Sequence, residues 1–305
     1  MSDCAFAIAL LAALAPLGAA AAGPTLPAEQ PVVMIVTTSA VEAFAEAIEG
    51  VRRGLGSGVK VVVVDLAARP AERGQLSGKD VAVLLTIGNQ AMDEAAQLGS
   101  APMVATMVLR ADLAAPGRRA PSSAVVLDVA LADVLAGLSR VFPGKTRVGM
   151  IRNPDQRGAP AAALEAQAKA AGMTLKAVEC PRPEKLLNAF LSLRDLVDFV
   201  WCPPDATLYN GTTVKPLILA SLENRLPVAG FSASFVRAGA AAGVYPDYLE
   251  VGAQAGELAR KYLGGANPAV IENPRKVRVA SNPRVARLLG LRMPSRGEPG
   301  IVVIE

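Results

Sequence analysis

Short runs of consecutive apolar residues alternate along the first half of the chain with longer segments of helical spacing. The predicted strands and the helices between them are, in order, 32–36, 41–55, 60–64, 81–87, 91–98 and 103–109. A strand that is apolar at every position is typical of a parallel sheet, because helices cover both faces of such a sheet. The first half is therefore predicted to form a doubly wound α/β sheet.

The same alternation begins again near Arg147. Predicted strands and helices follow at 148–151, 159–171, 175–180, 183–193, 199–202, 214–224 and 227–231, with a helix at 252–264 and a last strand and helix within 274–289. The sequence therefore predicts an α/β protein of two doubly wound parallel-sheet lobes. We expect ligands to bind beyond the carboxyl ends of the strands.

The composition of the chain excludes several kinds of partner and of catalytic or metal site. The chain has 305 residues, of which 52% are hydrophobic, and its net charge of +4 is spread without a Lys/Arg run, so a nucleic-acid partner is not expected. It has no histidine, which excludes Ser-His-Asp and Cys-His nucleophile pairs and imidazole metal ligands. The sequence contains neither of two glycine-rich nucleotide-binding motifs, GxGxxG after the first strand and GxxxxGK followed by Ser or Thr. We therefore expect no metal and no cofactor.

The N-terminal segment is apolar from Ala5 to Ala22 and ends in small residues, which favours a signal peptide over 1–22. Lys and Arg are absent before this segment, whereas a signal peptide usually begins with a basic residue. We expect a periplasmic or otherwise extracytoplasmic protein. In such a mature chain Cys180 and Cys202 end the second and third strands of the second lobe. With a strand order of 2-1-3 they lie about 9–10 Å apart, too far for a disulfide, so two free thiols are predicted.

Small polar residues follow most of the predicted strands. The candidate ligand-binding residues of the first lobe are Thr38, Ser39, Gly88, Asn89, Gln90 and Met107, and those of the second lobe are Asn153, Asp205, Thr207 and Ser232. Arg152 also ends a strand. Local roles compete with ligand binding at several of these positions, since Ser39 and Asp205 are suited to cap helices and Asn89 to form a turn.

Several stretches, in order, resemble the substrate-binding proteins of ABC transporters, a family with a type I periplasmic-binding-protein fold that includes aromatic amino acid uptake proteins. They are VAVLLTIGNQAMDEAAQLGSAPMVATMVLRADL, VFPGKTRVGMIRNP, VDFVWCPPDATL, RLPVAGFSASFVRAGAAAGVYPDYLEVG and SNPRVARLLGLRMP. The resemblance covers about 32–294. It implies a hinge, an interlobe ligand cleft, a first lobe of 30–122 plus 238–266 and a second of 123–237 plus 267–292. The tail, 295–305, lies outside it.

The resemblance implies a binding protein, not an enzyme, that delivers a small polar, amino acid-like ligand to an ABC permease in the inner membrane and is a monomer. It also implies that Asp205 pairs with a cationic group of the ligand and that Asp247 faces the same ligand. As an exposed loop carboxylate, Asp205 is expected to be removable without loss of stability.

Three positions depart from the family pattern. Gly88-Asn89 replaces Gly-Thr, Arg152 replaces a tyrosine, and Ser232-Ala233-Ser234 replaces an acidic run. Arg152 would instead favour an anionic ligand. Two alternatives stay open at this point: a ligand-sensing envelope protein without transport, and a carboxylate- or cysteine-based isomerase that uses Cys180 and Cys202.

Overall fold

The computed structural model describes residues 30–68, 81–98, 100–114, 119–156, 158–292 and 299–304. The predicted signal peptide, 1–22, lies outside the described residues. The strands are β1 Val32–Thr37, β2 Lys60–Asp65, β3 Val81–Ile87, β4 Met103–Val108, β5 Ser123–Val126, β6 Arg147–Arg152, β7 Thr174–Glu179, β8 Phe199–Trp201, β9 Val228–Gly230, β10 Ala242–Pro246, β11 Ile271–Glu272, β12 Val277–Ser281 and β13 Ile301–Val303. The helices are α1 Glu42–Leu55, α2 Asn89–Ala95, α3 Leu131–Val141, α4 Ala161–Ala170, α5 Leu186–Leu191, α6 Val214–Glu223, α7 Ala233–Arg237, α8 Tyr248–Leu263 and α9 Pro283–Leu288. Short 3₁₀ turns lie at Arg110–Ala114 and Pro183–Lys185.

The strands form two sheets. The first has the order β11-β5-β4-β3-β1-β2 and the second has the order β13-β12-β10-β9-β8-β6-β7. All pairings are parallel except that of β10 with β12. In each sheet the earliest strand lies between the second and the third, so the predicted 2-1-3 order and the predicted α/β fold class of two doubly wound, mainly parallel sheets are confirmed.

Within the described residues the chain passes from one sheet to the other three times, and each passage comes later along the chain than the corresponding predicted lobe boundary. β5 pairs with β4 of the first sheet, although the sequence placed it in the second lobe. β10 pairs in the second sheet, although the predicted boundaries placed it in the first lobe. β11 pairs in the first sheet, although they placed it in the second lobe. The sequence patterns missed the strands β5, β10 and β11 and the helices α3 and α7, and without those three strands the passages between the sheets could not be located.

One face of the first sheet is covered by α1 and α8, two helices that pack unusually closely, and α2 packs on the other face. Gly50 and Gly54 of α1 and Gly252 and Gly256 of α8 face each other, and a Cβ on any of them would overlap the backbone of the opposite helix. The two helix backbones can therefore approach so closely only because these four positions are glycine. This contact holds the start of α8 against the first sheet. Since α8 follows β10, the contact also fixes the second passage of the chain between the sheets.

The tail, for which the sequence provided no structural expectation, extends the second sheet. Ile301–Val303 forms β13, which pairs in parallel with β12, and Ile304 is buried beyond it. The Arg140 guanidinium of α3 donates a hydrogen bond to the carbonyl of Pro299. Within the described ranges, no helix has the length and apolar character needed to cross a membrane.

Candidate functional site

A cavity of 590 Å³ lies at the carboxyl ends of the second-sheet strands, and its other walls come from the end of β4 and from the segments after β5 and β10, where the chain passes between the sheets. Its apolar wall includes Leu109, Leu127, Val129, Met150, Leu164, Trp201, Tyr209, Phe231, Val244 and Tyr248. Its polar wall includes Asp128, Arg152, Asn153, Gln156, Gln167, Asp205 and Ser232. The volume and the mainly apolar lining with a few polar groups suit a small-molecule ligand.

Asp205 lies in this wall because the loop after β8 turns back on itself. Pro203 and Pro204 also line the cavity, and the Asp205 side chain is only 3% exposed. Its Oδ1 accepts hydrogen bonds from the backbone N–H of Thr207 at 2.8 Å, from the Thr207 hydroxyl at 2.6 Å and from the N–H of Leu208 at 3.2 Å. The carboxylate therefore caps a single turn, not a helix, and the expectation that it is exposed is wrong.

Asn153 holds the same turn from the neighbouring strand end. Its Nδ2 donates to the Thr207 hydroxyl oxygen at 3.0 Å, while its Oδ1 accepts from the N–H of Asp155 at 2.9 Å. A chain of hydrogen bonds thus runs from Asn153 through Thr207 to Asp205. Three of the predicted site residues are brought together, and two of them, Asn153 and Asp205, line the cavity.

Asp128 is a second carboxylate in the wall, and sequence reasoning missed it. It lies in the segment between β5 and α3, and its Oδ2 accepts a hydrogen bond from the N–H of Arg110 at 2.7 Å. Burial raises the pKa of Asp128, against the smaller opposing effect of that hydrogen bond and of the Arg110 charge. The available signal was an aspartate directly after the apolar run 124–127.

The charged side chains of the cavity wall, Asp128, Asp205 and Arg152, have no ion-pair partner among the described residues. Arg152 directs one guanidinium nitrogen to the carbonyl of Ala159 at 2.9 Å. Two carboxylates and one guanidinium therefore line one cavity, which suits a ligand that carries both a cationic and an anionic group.

Aromatic rings form one end of the cavity wall. The Tyr209 and Phe231 ring centroids lie 6.3 Å apart, and Phe235 packs behind both at 6.0 and 5.5 Å. The Tyr209 hydroxyl donates to the carbonyl of Ile151 at 2.9 Å, so the ring is fixed against β6. Trp201 ends β8 and is 7% exposed. The sequence search for polar strand ends could not have found these residues.

The six predicted residues of the first lobe lie along the carboxyl edge of the first sheet, but they do not line the cavity. Neighbouring ends of β1, β3 and β4 bring Thr38 and Ser39 beside Gly88 and Met107. Their part in ligand binding stays a prediction.

Local geometry at this edge is unusual. Gly88 has φ +90°, and a Cβ there would meet the Phe44 ring at 2.9 Å. Met107 has φ +58° at a register shift of β4, a strained conformation for a side chain of its size. Asn89 Nδ2 donates to Asp112 at 2.7 Å, whereas its buried Oδ1 has no hydrogen-bond partner, and Gln90 is exposed.

Asp247 and Ser232 both cap helices. Ser232 Oγ accepts from the N–H of Phe235 at 3.1 Å, and Ser232 also lines the cavity. Asp247 is the residue before α8; its Oδ1 accepts from the N–H of Glu250 at 3.3 Å and from Arg278 at 3.2 Å. Burial opposes ionisation of Asp247, but these hydrogen bonds outweigh it and hold its pKa below the ordinary value. Asp247 does not line the cavity.

Cys180 and Cys202, the two cysteines among the described residues, are free, as predicted, and both are buried. Neither lines the cavity, and burial raises the pKa of Cys202 to about 12, so this thiol is protonated at neutral pH. This placement gives no support to an isomerase that would use both cysteines across a cleft. Among the described residues there is also no group of three or more Cys, Asp or Glu side chains arranged to hold a metal ion.

A family profile described as "ABC transporter substrate binding protein" matches residues 71–294. The chain belongs to this family. Substrate-binding proteins of ABC transporters bind small-molecule ligands, work with ABC permeases and typically lie outside the cytoplasm. No curated protein matches the chain.

Solved structures share the fold at low sequence identity. A ligand-free, open substrate-binding protein with adhesive properties from Clostridium difficile is 18% identical, with 90% of this chain and 100% of that chain covered and a TM-score of 0.68. The ABC domain from Streptococcus pneumonia in complex with L-Trp is 18% identical, with 89% and 100% covered and a TM-score of 0.59. A conserved domain protein from Vibrio cholerae is 19% identical, with 90% and 99% covered and a TM-score of 0.59.

Proposed function

We propose that this protein is a monomeric extracytoplasmic binding protein that delivers an amino acid-like ligand with an apolar side chain to an ABC permease in the inner membrane. The observation that carries the proposal is the 590 Å³ cavity, which combines an apolar and aromatic wall with Asp128, Asp205 and Arg152. An ammonium group would pair with the carboxylates and a carboxylate with Arg152. The sequence-based expectation of a polar ligand is thereby refined, because an apolar wall is filled best by an apolar side chain.

The ligand's ammonium group is assigned to Asp205. Oδ1 of Asp205 is occupied by the turn, and Oδ2 takes no hydrogen bond from the described residues. A carboxylate so deeply buried without a cation is costly, and a ligand cation would offset that cost. Asp128 would approach the same ligand from the segment between β5 and α3. Arg152 selects for zwitterions over simple amines.

A thermal-shift screen of the purified protein tests this proposal. It should compare amino acids with apolar side chains, their decarboxylated amines, their N-acetylated forms, small sugars and small organic acids. A ligand present at 100 times its Kd should add about 2.7 kcal/mol to the free energy of unfolding. Since a structure of the same fold holds L-Trp, aromatic amino acids are the first compounds to test.

The outcome distinguishes ligand classes. Stabilisation by the amino acids but not by their amines or N-acetyl forms would support recognition of both charged groups. Stabilisation by sugars or by dicarboxylic acids alone would contradict the amino acid-like assignment while leaving a solute-binding function in place. Transport itself is tested by uptake of the identified ligand in cells with and without the protein, which separates an importer component from a sensor.

A further inference from the structure

A second cavity, of 300 Å³, lies at the opposite end of the second sheet from the ligand cavity. Its walls precede strands instead of following them: Arg147 is the first residue of β6, Asp198 directly precedes β8 and Leu226 comes shortly before β9. Because these strands are parallel, this is their amino edge. The two cavities share no residue.

The lining of this second cavity is rich in cations. Its charged members are Lys145, Arg147, Arg194, Arg225, Asp195 and Asp198. Four cations thus face two carboxylates, which leaves an excess of two positive charges. A cavity of this sign favours an anion of two negative charges.

The ion pairs and hydrogen bonds of the four cationic side chains show which of them carry the excess positive charge. Arg147 donates to Asp198 at 2.9 Å, and Arg194 contacts Asp195 at 3.3 Å and Asn224 at 3.0 Å. Lys145 and Arg225 have no ion pair and no side-chain hydrogen bond with any described residue. These two side chains are therefore available to an anion.

Backbone conformation adds an independent observation. Arg225 has φ +51° and Asp195 has φ +64°, and they are two of the four non-glycine residues with positive φ in the described part of the chain. α6 ends at Glu223 with Asn224 as its cap, so Arg225 occupies the next position, where helices commonly place glycine. The chain carries a cationic side chain where glycine would relieve strain, as is found at functional sites.

We propose that this cavity binds the phosphate group of an anionic ligand through Lys145, Arg225 and Arg194. Arginine presents paired N–H donors that match the oxygens of a phosphate, and lysine adds a point charge. Free phosphate and the headgroup of an anionic phospholipid share this chemistry.

The experiment compares the wild-type protein with Arg225→Gly and, as a matched control, Asp195→Gly. Both substitutions remove a side chain from a left-handed position in the same cavity, but they change its charge in opposite directions. Binding of inorganic phosphate and pyrophosphate is measured by calorimetry at low ionic strength. Co-sedimentation is measured with vesicles of phosphatidylcholine alone and with added phosphatidylglycerol.

The wild-type protein should bind one of the free anions or the phosphatidylglycerol vesicles, and added salt should weaken the binding. Arg225→Gly should weaken it at least about tenfold, as expected for a charge-assisted hydrogen bond, whereas Asp195→Gly should leave it equal or tighter. The melting temperature of Arg225→Gly should not fall, because glycine suits this φ. Binding of free anions identifies a soluble ligand, and binding of vesicles alone identifies a lipid headgroup.

Three results would overturn the proposal. These are an absence of saturable binding in both arms, an Arg225→Gly protein that binds as tightly as wild type, and an equal loss of binding in Asp195→Gly. Should Arg225→Gly fail to fold, Lys145→Met removes the other unpaired cation and must produce the same loss. None of these measurements involves the ligand cavity.

Discussion

Asp205 and Asp247 each follow a strand of the second sheet, yet the two regions use their carboxylates differently. Around Asp205 the chain supplies N–H and hydroxyl donors, the described residues form no ion pair with it, and the side chain lines the cavity. Around Asp247 an arginine from β12 supplies the counter-charge, and Arg278 also forms an ion pair with Glu46 of α1 at 3.1 Å. A carboxylate whose charge is unpaired is suited to bind a ligand, whereas one that is paired across three elements is suited to hold the structure.

The largest expected effect is on ligand affinity at Asp205. Asp205→Asn keeps an oxygen acceptor for the turn but removes the charge, so binding of an amino acid-like ligand should weaken by about 2–5 kcal/mol. The free energy of unfolding should change little. Calorimetric titration with the ligand found in the screen measures the first quantity, and chemical denaturation measures the second.

Asp205→Ala is the matched control at the same position. It removes the acceptor as well, so the N–H groups of Thr207 and Leu208 lose their partner and the free energy of unfolding should fall by about 1–3 kcal/mol. If the Asn variant bound the ligand as tightly as the wild type, Asp205 would not belong to the binding site, and the contrast with Asp247 would not hold.

Asp128→Asn should weaken the same ligand by a smaller amount, about 1–2 kcal/mol, because Asp128 is half-buried and its charge is better screened. Burial raises the pKa of this carboxyl in the folded protein, so the wild type loses part of its stability as the pH rises through that value. The Asn variant lacks this loss and should be the more stable protein at pH 7. Melting curves from pH 4 to pH 8 measure the difference, and a variant that is less stable throughout would contradict it.

Asp247→Ala should lower the free energy of unfolding by about 1–2 kcal/mol, with about 1 from the helix cap and up to about 1 from the partly exposed ion pair. Ligand affinity should stay within threefold, contrary to the expectation drawn from the family resemblance. The folded-state pKa is lowered, so this stabilisation is present above the ordinary aspartate value and is lost as the pH falls through the lower one. Wild type and variant should therefore converge in stability below about pH 4.

The outcome of that experiment decides between the two roles of Asp247. A drop in affinity as large as that of Asp205→Asn would place Asp247 in the site. Arg278→Met provides the matched change from the opposite side of the pair, because it should reproduce the ion-pair part of the loss, up to about 1 kcal/mol, while keeping the helix cap and any ligand contact made by Asp247.

The smallest expected effect concerns the first-sheet edge. Gln90 is exposed and does not line the cavity, so Gln90→Ala should leave the melting temperature unchanged. If closure of the lobes brings this edge to the ligand, affinity should fall by about 0.5–1.5 kcal/mol through loss of one neutral hydrogen bond. An unchanged affinity would exclude Gln90 from the site and leave ligand binding to the residues that line the cavity.

Much of the architecture was predictable. Runs such as 81–85 and 148–151 have no polar side chain, which favours burial on both faces and hence parallel strands between helices. The free cysteines followed from the strand order alone. Short or interrupted elements were not predictable, since β5 has four residues and β10 contains a glycine and ends in a proline.

By itself the sequence determined where most strands end, which fold class they form, and that Asp205 and Asn153 follow strand ends at one edge of the second sheet. These are local properties, set by the spacing of apolar residues and by proline and glycine. The tertiary structure alone decided that Asp128 and the aromatic rings share a cavity with Asp205, and that Asp247 pairs with Arg278, 31 residues further along the chain. Burial and charge pairing depend on which distant segments pack together, and the pattern of a single segment does not encode the identity of its neighbours.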